Sequence, residues 1–409
     1  MRIYSRRSIC HGQPMSFPGK SSSLFSSLSC ALIAAIIGFG GTIALVVQAM
    51  QRLGANEAQT LSAVTALCLG IALAGAGFSL LLRMPIIMAW STPGAALLAA
   101  GAPGLDWAQA TGIFCMSACL MILVALVPAL RRLATAIPAS VASAMLAGVL
   151  LPFTLALFRA AGNDALLVGL LLLVFLIGRQ RFPLYAMLAV LGAGVALLLL
   201  RGDAGALPVG GLLGGLSFAM PRFVLGSAVS IGIPLFLVTL VSQNLPGLVV
   251  LKNAGYVPAP RPLLIGSGLA TLLLAPFGAH GVNLAAITAA ICTGEEAHPD
   301  RAQRWKTGMA YAAFYLALAA FSPLLVRFFL ALPHDAIAAL TGIALIVPLT
   351  GAMEGMFVHA GQKDAAMLTF AATASGVALL GIGAAFWGLL LGFAALAARH
   401  FLVRKQAAA

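Results

Sequence analysis

The sequence predicts an all-α polytopic membrane protein built from 14 segments. Its 409 residues are 62% hydrophobic and only 8% charged, which excludes soluble globular and disordered chains. Apolar runs long enough to cross a bilayer recur from Leu28 to Val403. Two of the segments are interrupted by proline, glycine and polar residues, a pattern tolerated at membrane depth only against protein or a water-filled cavity.

The polar stretch 1–27 is rich in serine and arginine and reads as a cytoplasmic tail. Span 1 is expected over Leu28–Met50 and span 2 over Ala58–Leu82. Segment 3, Pro85–Ala100, is too short to cross as one helix: its 16 residues would reach only about 24 Å of a core about 30 Å thick. An extended stretch to Trp90–Ser91 followed by a half-helix from Thr92 restores the length, and Pro85 and Pro93 favour the same break. Span 4 follows at Trp107–Leu130, and span 5 starts at Ile137-Pro138. Spans 6 and 7 are Ala165–Gly178 and Pro183–Leu200.

A glycine-rich loop, 202–221, separates the repeat 28–201 from a second repeat, 222–403. Span 8 is Phe223–Leu251 and span 9 Pro262–Leu274. Segment 10, Ala275–Gly294, is spoiled at first by Pro276, Gly278 and Gly281 and reads as helix from Val282. Span 11 is Thr307–Leu330 and span 12 starts near Pro333. The run 365–403 holds spans 13 and 14, turning near Gly381–Gly383.

With the N-terminus inside, 18 lysines and arginines fall inside and five outside. That is the bias the positive-inside rule requires, so the net charge of +13 reads as topology rather than nucleic-acid binding, with both termini cytoplasmic. Seven spans per half force the second half to be inverted, the inverted-repeat transporter plan. Broken segment, span and proline-started span recur in each half. The six cysteines lie mostly inside apolar runs and read as small buried hydrophobes.

Segments 3 and 10 then run in opposite directions, and their helix N-termini, near Thr92 and near Val282, meet at mid-membrane. Helix N-termini carry free N–H groups and partial positive charge, so the pair suits a small anion. Ser91, Thr92, Gln243, Asn244, His280 and Asn283 are the polar candidates beside it, with Trp90 and Phe277 as stacking platforms. Each has a structural reading as well: Ser91 and Thr92 as helix caps, Gln243 and Asn244 as interhelical links, Trp90 as packing. His280 is the first candidate proton carrier, and Glu354 is the other titratable group within a span. Carrying an anion inward against a negative-inside potential costs about 2.3 kcal/mol per 100 mV, which one accompanying proton removes.

Four stretches closely resemble the benzoate:proton symporter (BenE) family: AWSTPGAALLAAG from Ala89, SQNLPGLVVLKNAGY from Ser242, APFGAHGVNLAAITAAICTGEEAHPD from Ala275 and ASGVALLGIGAAFWGLLLG from Ala374. The resemblance implies proton-coupled uptake of benzoate or a similar aromatic carboxylate across a bacterial inner membrane. The proton is the coupling ion, and no metal or other cofactor is expected. It also implies the fold of nucleobase symporters and sulfate and bicarbonate transporters: a 7+7 inverted repeat with short strands in segments 3 and 10. There a core domain takes spans 1–4 and 8–11, and a gate domain takes spans 5–7 and 12–14. Related folds often dimerise through the gate, which leaves a homodimer open.

Nucleobase symporters carry glutamates in spans 8 and 10. Here Gln243 and His280 stand near those positions, which argues against a nucleobase cargo. The alternatives are another organic anion, a nucleobase-like ring or a passive anion channel. A membrane enzyme is disfavoured, since only one carboxylate lies in a span and no His/Asp or Cys/His cluster appears.

Overall fold

Two strands of three residues each, far apart in sequence, pair at the middle of a helical bundle. This computed structural model describes residues 21–100, 105–129, 138–183, 185–203, 210–379 and 383–407. Outside them lie residues 1–20 of the expected tail, Gly101 and Pro103, the Arg131–Arg132 pair, Ile137, residues 204–209 of the central loop and the 380–382 turn.

In chain order the helices are α1 Ser21–Gly40, α2 Ile43–Arg52 and α3 Glu57–Leu82, then strand β1 Met88–Trp90 and α4 Thr92–Ala100. Next come α5 Trp107–Leu126, α6 Ala139–Ala160, α7 Ala165–Arg181 and α8 Ala186–Arg201. The helix α9 spans Leu225–Asn253, with π-helical turns at Ala228–Gly232 and Leu240–Asn244. It is followed by α10 Pro260–Leu274, strand β2 Val282–Leu284 and α11 Ile287–Thr293. The last four are α12 Trp305–Leu330, α13 His334–Met356, α14 Lys363–Ala374 and α15 Ala384–Ala407. Among the described residues, eight helices are long and apolar enough to cross a membrane. Leucines such as Leu73, Leu81, Leu200 and Leu273 stand exposed on their outer faces, as a lipid-facing surface requires.

Several boundaries differ from the sequence reading. The first helix begins at Ser21, ahead of Leu28, and breaks at Gly41–Thr42. The break in segment 3 falls where expected, with α4 starting at Thr92. The break in segment 10 does not: Val282 opens a strand, and the helix waits until Ile287. Long-range bonds explain the delay. Strand β2 pairs antiparallel with β1, Trp90 opposite Val282 and Met88 opposite Leu284. The Ala285 N–H extends the ladder to the Ile87 carbonyl at 2.9 Å.

Close packing fixes the strand pair in place. A Cβ on Gly70, midway along α3, would lie 2.7 Å from Val282 Cγ2. A Cβ on Gly247 of α9 would lie 2.6 Å from Leu284 Cβ. Only glycine lets two helices approach a buried strand this closely. Around this centre α3 packs on α12, α5 on α10, α6 on α13 and α14, α7 on α8, and α14 on α15.

Polar side chains sort to the ends of the bundle. At one end Arg327 bonds Glu57 at 3.1 Å, Arg201 bonds Asp164 at 2.7 Å, and Arg222 pairs with Asp106. Asp164 also caps α7, and the Leu167 N–H, followed by Arg201, holds its carboxyl below the usual range. At the other end Arg83 stacks over Trp305, Arg301 over Tyr256, and Ser140 bonds Gln362.

Candidate functional site

The strand pair brings the two interrupted segments into direct contact. Ser91, immediately after β1, caps α4: its hydroxyl accepts the Gly94 N–H at 3.0 Å and also bonds Thr239 of α9 at 2.9 Å. The structural reading of Ser91 therefore holds, and part of the first turn of α4 is satisfied internally. His280 lies just before β2 and is buried. Its Nε2 is 3.1 Å from the Ser91 carbonyl. A carbonyl only accepts, so Nε2 carries the hydrogen, and in the neutral ring Nδ1 holds the lone pair. That Nδ1 is buried and has no hydrogen-bond partner. A single ring atom able to receive a proton thus lies buried beside the junction of the two breaks.

Asn244, in the second π-helical turn of α9, ties this helix to β2. Its Oδ1 accepts the Leu284 N–H at 3.1 Å, and its Nδ2 lies 3.8 Å from Met121 Sδ. Asn283 is fully buried on the strand, and its Nδ2 is unpartnered. Gln243 is half-buried on the same turn of α9 as Asn244, and Thr92 is half-buried at the first residue of α4.

The two aromatic candidates both pack against protein side chains. Trp90 is 2% exposed; its Nε1 donates to Thr42 at 2.8 Å, and its ring packs on Phe39 and Tyr315. It locks β1 to the break between α1 and α2. Phe277 is half-buried, edge-on to Phe218 of the central loop, in the approach to the second break. Glu354 is exposed in the last turn of α13, away from the strand pair.

The model family matching residues 21–398 is described as the benzoate membrane transport protein, BenE. An inner membrane protein, YdcO, of Escherichia coli K12 is 38% identical over 366 residues, 90% of this chain and 94% of that protein. A benzoate membrane transport protein of Acinetobacter baylyi is 32% identical over 383 residues, 94% of this chain and 96% of its own. The chain belongs to the BenE family. It is a multi-pass membrane transport protein and not an enzyme.

Solved structures share the BenE fold. The transmembrane domain of the cyanobacterial bicarbonate transporter BicA aligns with TM-score 0.61 at 16% identity, over 91% of this chain and 97% of that one. The murine anion transporter Slc26a9, inward-facing, aligns with TM-score 0.61 at 11% identity, over 95% of this chain and 70% of that one. These similarities show the fold alone.

Residues that sequence reasoning did not single out hold the strand pair and its flanks in place. Thr239 bonds Ser91. Thr271 of α10 accepts the Val282 N–H at 2.8 Å and so pins the start of β2. Arg304, only 7% exposed, donates Nη1 to the Thr293 carbonyl at 2.8 Å and Nε to the His298 carbonyl at 2.7 Å. It thereby closes the C-terminal end of α11, where a cation opposes the partial negative charge. Replacing Arg304 with methionine should unseat α11 and destabilise the folded state by about 2–4 kcal/mol, since two charge-assisted bonds are lost. The loss would be read as a lower Tm of the detergent-purified protein. An unchanged Tm would show that α11 is held by other contacts.

Proposed function

We propose that the chain imports benzoate or a similar aromatic carboxylate together with protons across the bacterial inner membrane, by alternating access. The observation that carries this reading is the junction of the two breaks, tied by the His280–Ser91 bond, in a chain of the benzoate membrane transport family. A carboxylate here would meet the positive end of α4, the polar side chains of Gln243, Asn244 and Asn283, and the unpartnered Nδ1 of His280. His280 is the proton carrier of the proposal. The exposed position of Glu354 leaves it a gate-side role.

The same proposal has 14 segments in a 7+7 inverted repeat, with α1–α5 and α9–α12 in the core. Two observations support it. The strands β1 and β2 are antiparallel, as two equivalent segments crossing in opposite directions would be. Helix contacts also come in exchanged pairs: α3 with α12 answers α5 with α10, and α7 with α8 answers α14 with α15, while α6 with α13 maps onto itself. The sidedness is supported by the end-sorting of charge. The Arg327–Glu57, Arg201–Asp164 and Arg222–Asp106 pairs all join expected outer loops, whereas Arg83, Trp305, Arg301 and Tyr256 all lie on the expected inner side.

A second reading, transport of an inorganic anion, is favoured by the bicarbonate-transporter fold alone. Competition against labelled benzoate uptake in proteoliposomes separates the two. Aromatic carboxylates should compete, while bicarbonate and uracil should not. Equal competition by bicarbonate would overturn the aromatic assignment.

A further inference from the structure

A cavity of about 460 Å³ lies beyond the C-terminal end of α4, away from the strand pair. That volume falls within the range of about 300–1,000 Å³ typical of small-molecule sites. Its walls come from α2, α4, α6, α9, α13, α14, the start of α15 and residues between α14 and α15, so it separates the elements assigned to the core from those assigned to the gate. Three side-chain atoms in those walls are buried and have no hydrogen-bond partner: Gln48 Oε1, Thr341 Oγ1 and Thr373 Oγ1. Thr341 is 2% exposed and Thr373 is 5% exposed. A buried hydroxyl without a partner is disfavoured, and two lining one cavity point to a ligand that supplies acceptors.

Charge agrees with that reading. Arg52 lines the same cavity. Arg201, Arg222 and Arg327, at the same end of the bundle, are each committed to a carboxylate, whereas Arg52 pairs with none among the described residues. His334 also lines the cavity, and Asp335 beside it in sequence accepts from Asn163 and lies 4.0 Å from His334 Nδ1. The remaining wall is mostly apolar, with Val149 and Phe153 among its members. One free guanidinium and two hydroxyls beside an apolar wall suit an amphipathic anion. An aromatic carboxylate fills both halves, while an inorganic anion gains nothing from the apolar one.

We propose that this cavity is an entry chamber for the substrate, where Arg52 captures the carboxylate and Thr341 and Thr373 complete its hydrogen bonds. The inference rests on the transport reading above. On that topology the chamber opens to the outer face, and substrate would pass from it along α4 to the His280 site.

The test places a cysteine at Ala156, which lines the cavity and is half-buried, in the chain with its native cysteines replaced by alanine. Modification by a membrane-impermeant anionic thiosulfonate is then followed in proteoliposomes, with benzoate as the protecting probe. Benzoate should slow modification. Arg52→Gln should raise the half-protecting concentration about tenfold or more, because a charged hydrogen bond is lost, and Arg52→Lys should recover most of it. Thr341→Val should shift it in the same direction as Arg52→Gln. Undiminished modification in protein that still transports benzoate would overturn the chamber, as would protection indifferent to Arg52→Gln and Thr341→Val. Protein that neither transports benzoate nor is protected by it would overturn the transport reading, and the chamber with it.

Discussion

Replacing His280 with alanine is expected to abolish accumulation of substrate in proteoliposomes while leaving exchange of internal for external substrate. The ring performs two tasks that separate variants can divide. Its Nε2–H holds the Ser91 carbonyl at 3.1 Å, joining the two breaks, and its unpartnered Nδ1 is the atom that would take the proton. Alanine removes both. Glutamine can still donate to a carbonyl but does not titrate, so His280→Gln should keep the fold and the exchange reaction and lose only the coupling. The magnitude follows from the charge moved. An anion travelling without its proton works against about 2.3 kcal/mol per 100 mV, which lowers the attainable accumulation ratio roughly 50-fold at that potential. A glutamine variant that still concentrates substrate would remove His280 as the carrier and return attention to Glu354.

The second large effect is expected at Asn244. Its side chain is fully buried and supplies the acceptor for the Leu284 N–H. In Asn244→Ala that backbone donor loses its partner inside the bundle, at a cost of about 1–3 kcal/mol, and β2 loses its link to α9. Both the Tm and the uptake rate should fall, uptake by tenfold or more if the site depends on the strand's position. Asn244→Asp keeps an acceptor toward Leu284 but puts a negative charge beside the proposed carboxylate site. It should recover little of the stability at pH 7, where burial makes the charged form costly, and little of the uptake. An aspartate variant that transports as the unsubstituted chain does would place the anion elsewhere.

These two residues also show how much of the site the sequence carries. His280 and Asn244 stand out because polar groups in apolar runs are costly there unless they serve a purpose. The start of α4 at Thr92 is readable because a 16-residue segment with two prolines cannot cross as one helix. The start of α11 is not readable. Val282 begins a stretch with local helix preference, and only its pairing with Trp90, the Thr271 hydroxyl and the Asn244 amide turn it into strand. Those are long-range contacts that no local pattern encodes.

Trp90 has two readings in the sequence, because an indole can either stack on a ligand or anchor a neighbour. Its bond to Thr42 shows the anchor. Thr239, Thr341 and Thr373 escape notice for a simpler reason. A lone threonine in a membrane helix usually bonds back to its own turn, so its presence in a sequence says little about a cavity. Arg304 counts among the 18 inside lysines and arginines, yet it is buried against the end of α11. The architecture was more accessible than the site, since spacing of apolar runs and the inside bias of lysine and arginine are properties of the whole chain.

The most direct measurement of the central claim is labelled benzoate uptake into proteoliposomes with the membrane potential clamped at zero and an inward proton gradient imposed. Coupled import predicts transient accumulation above the external concentration, abolished when the gradient is collapsed by a protonophore. Flux that merely equilibrates benzoate, at a rate and extent indifferent to the gradient, would contradict proton coupling and make the junction of the two breaks a passive pathway.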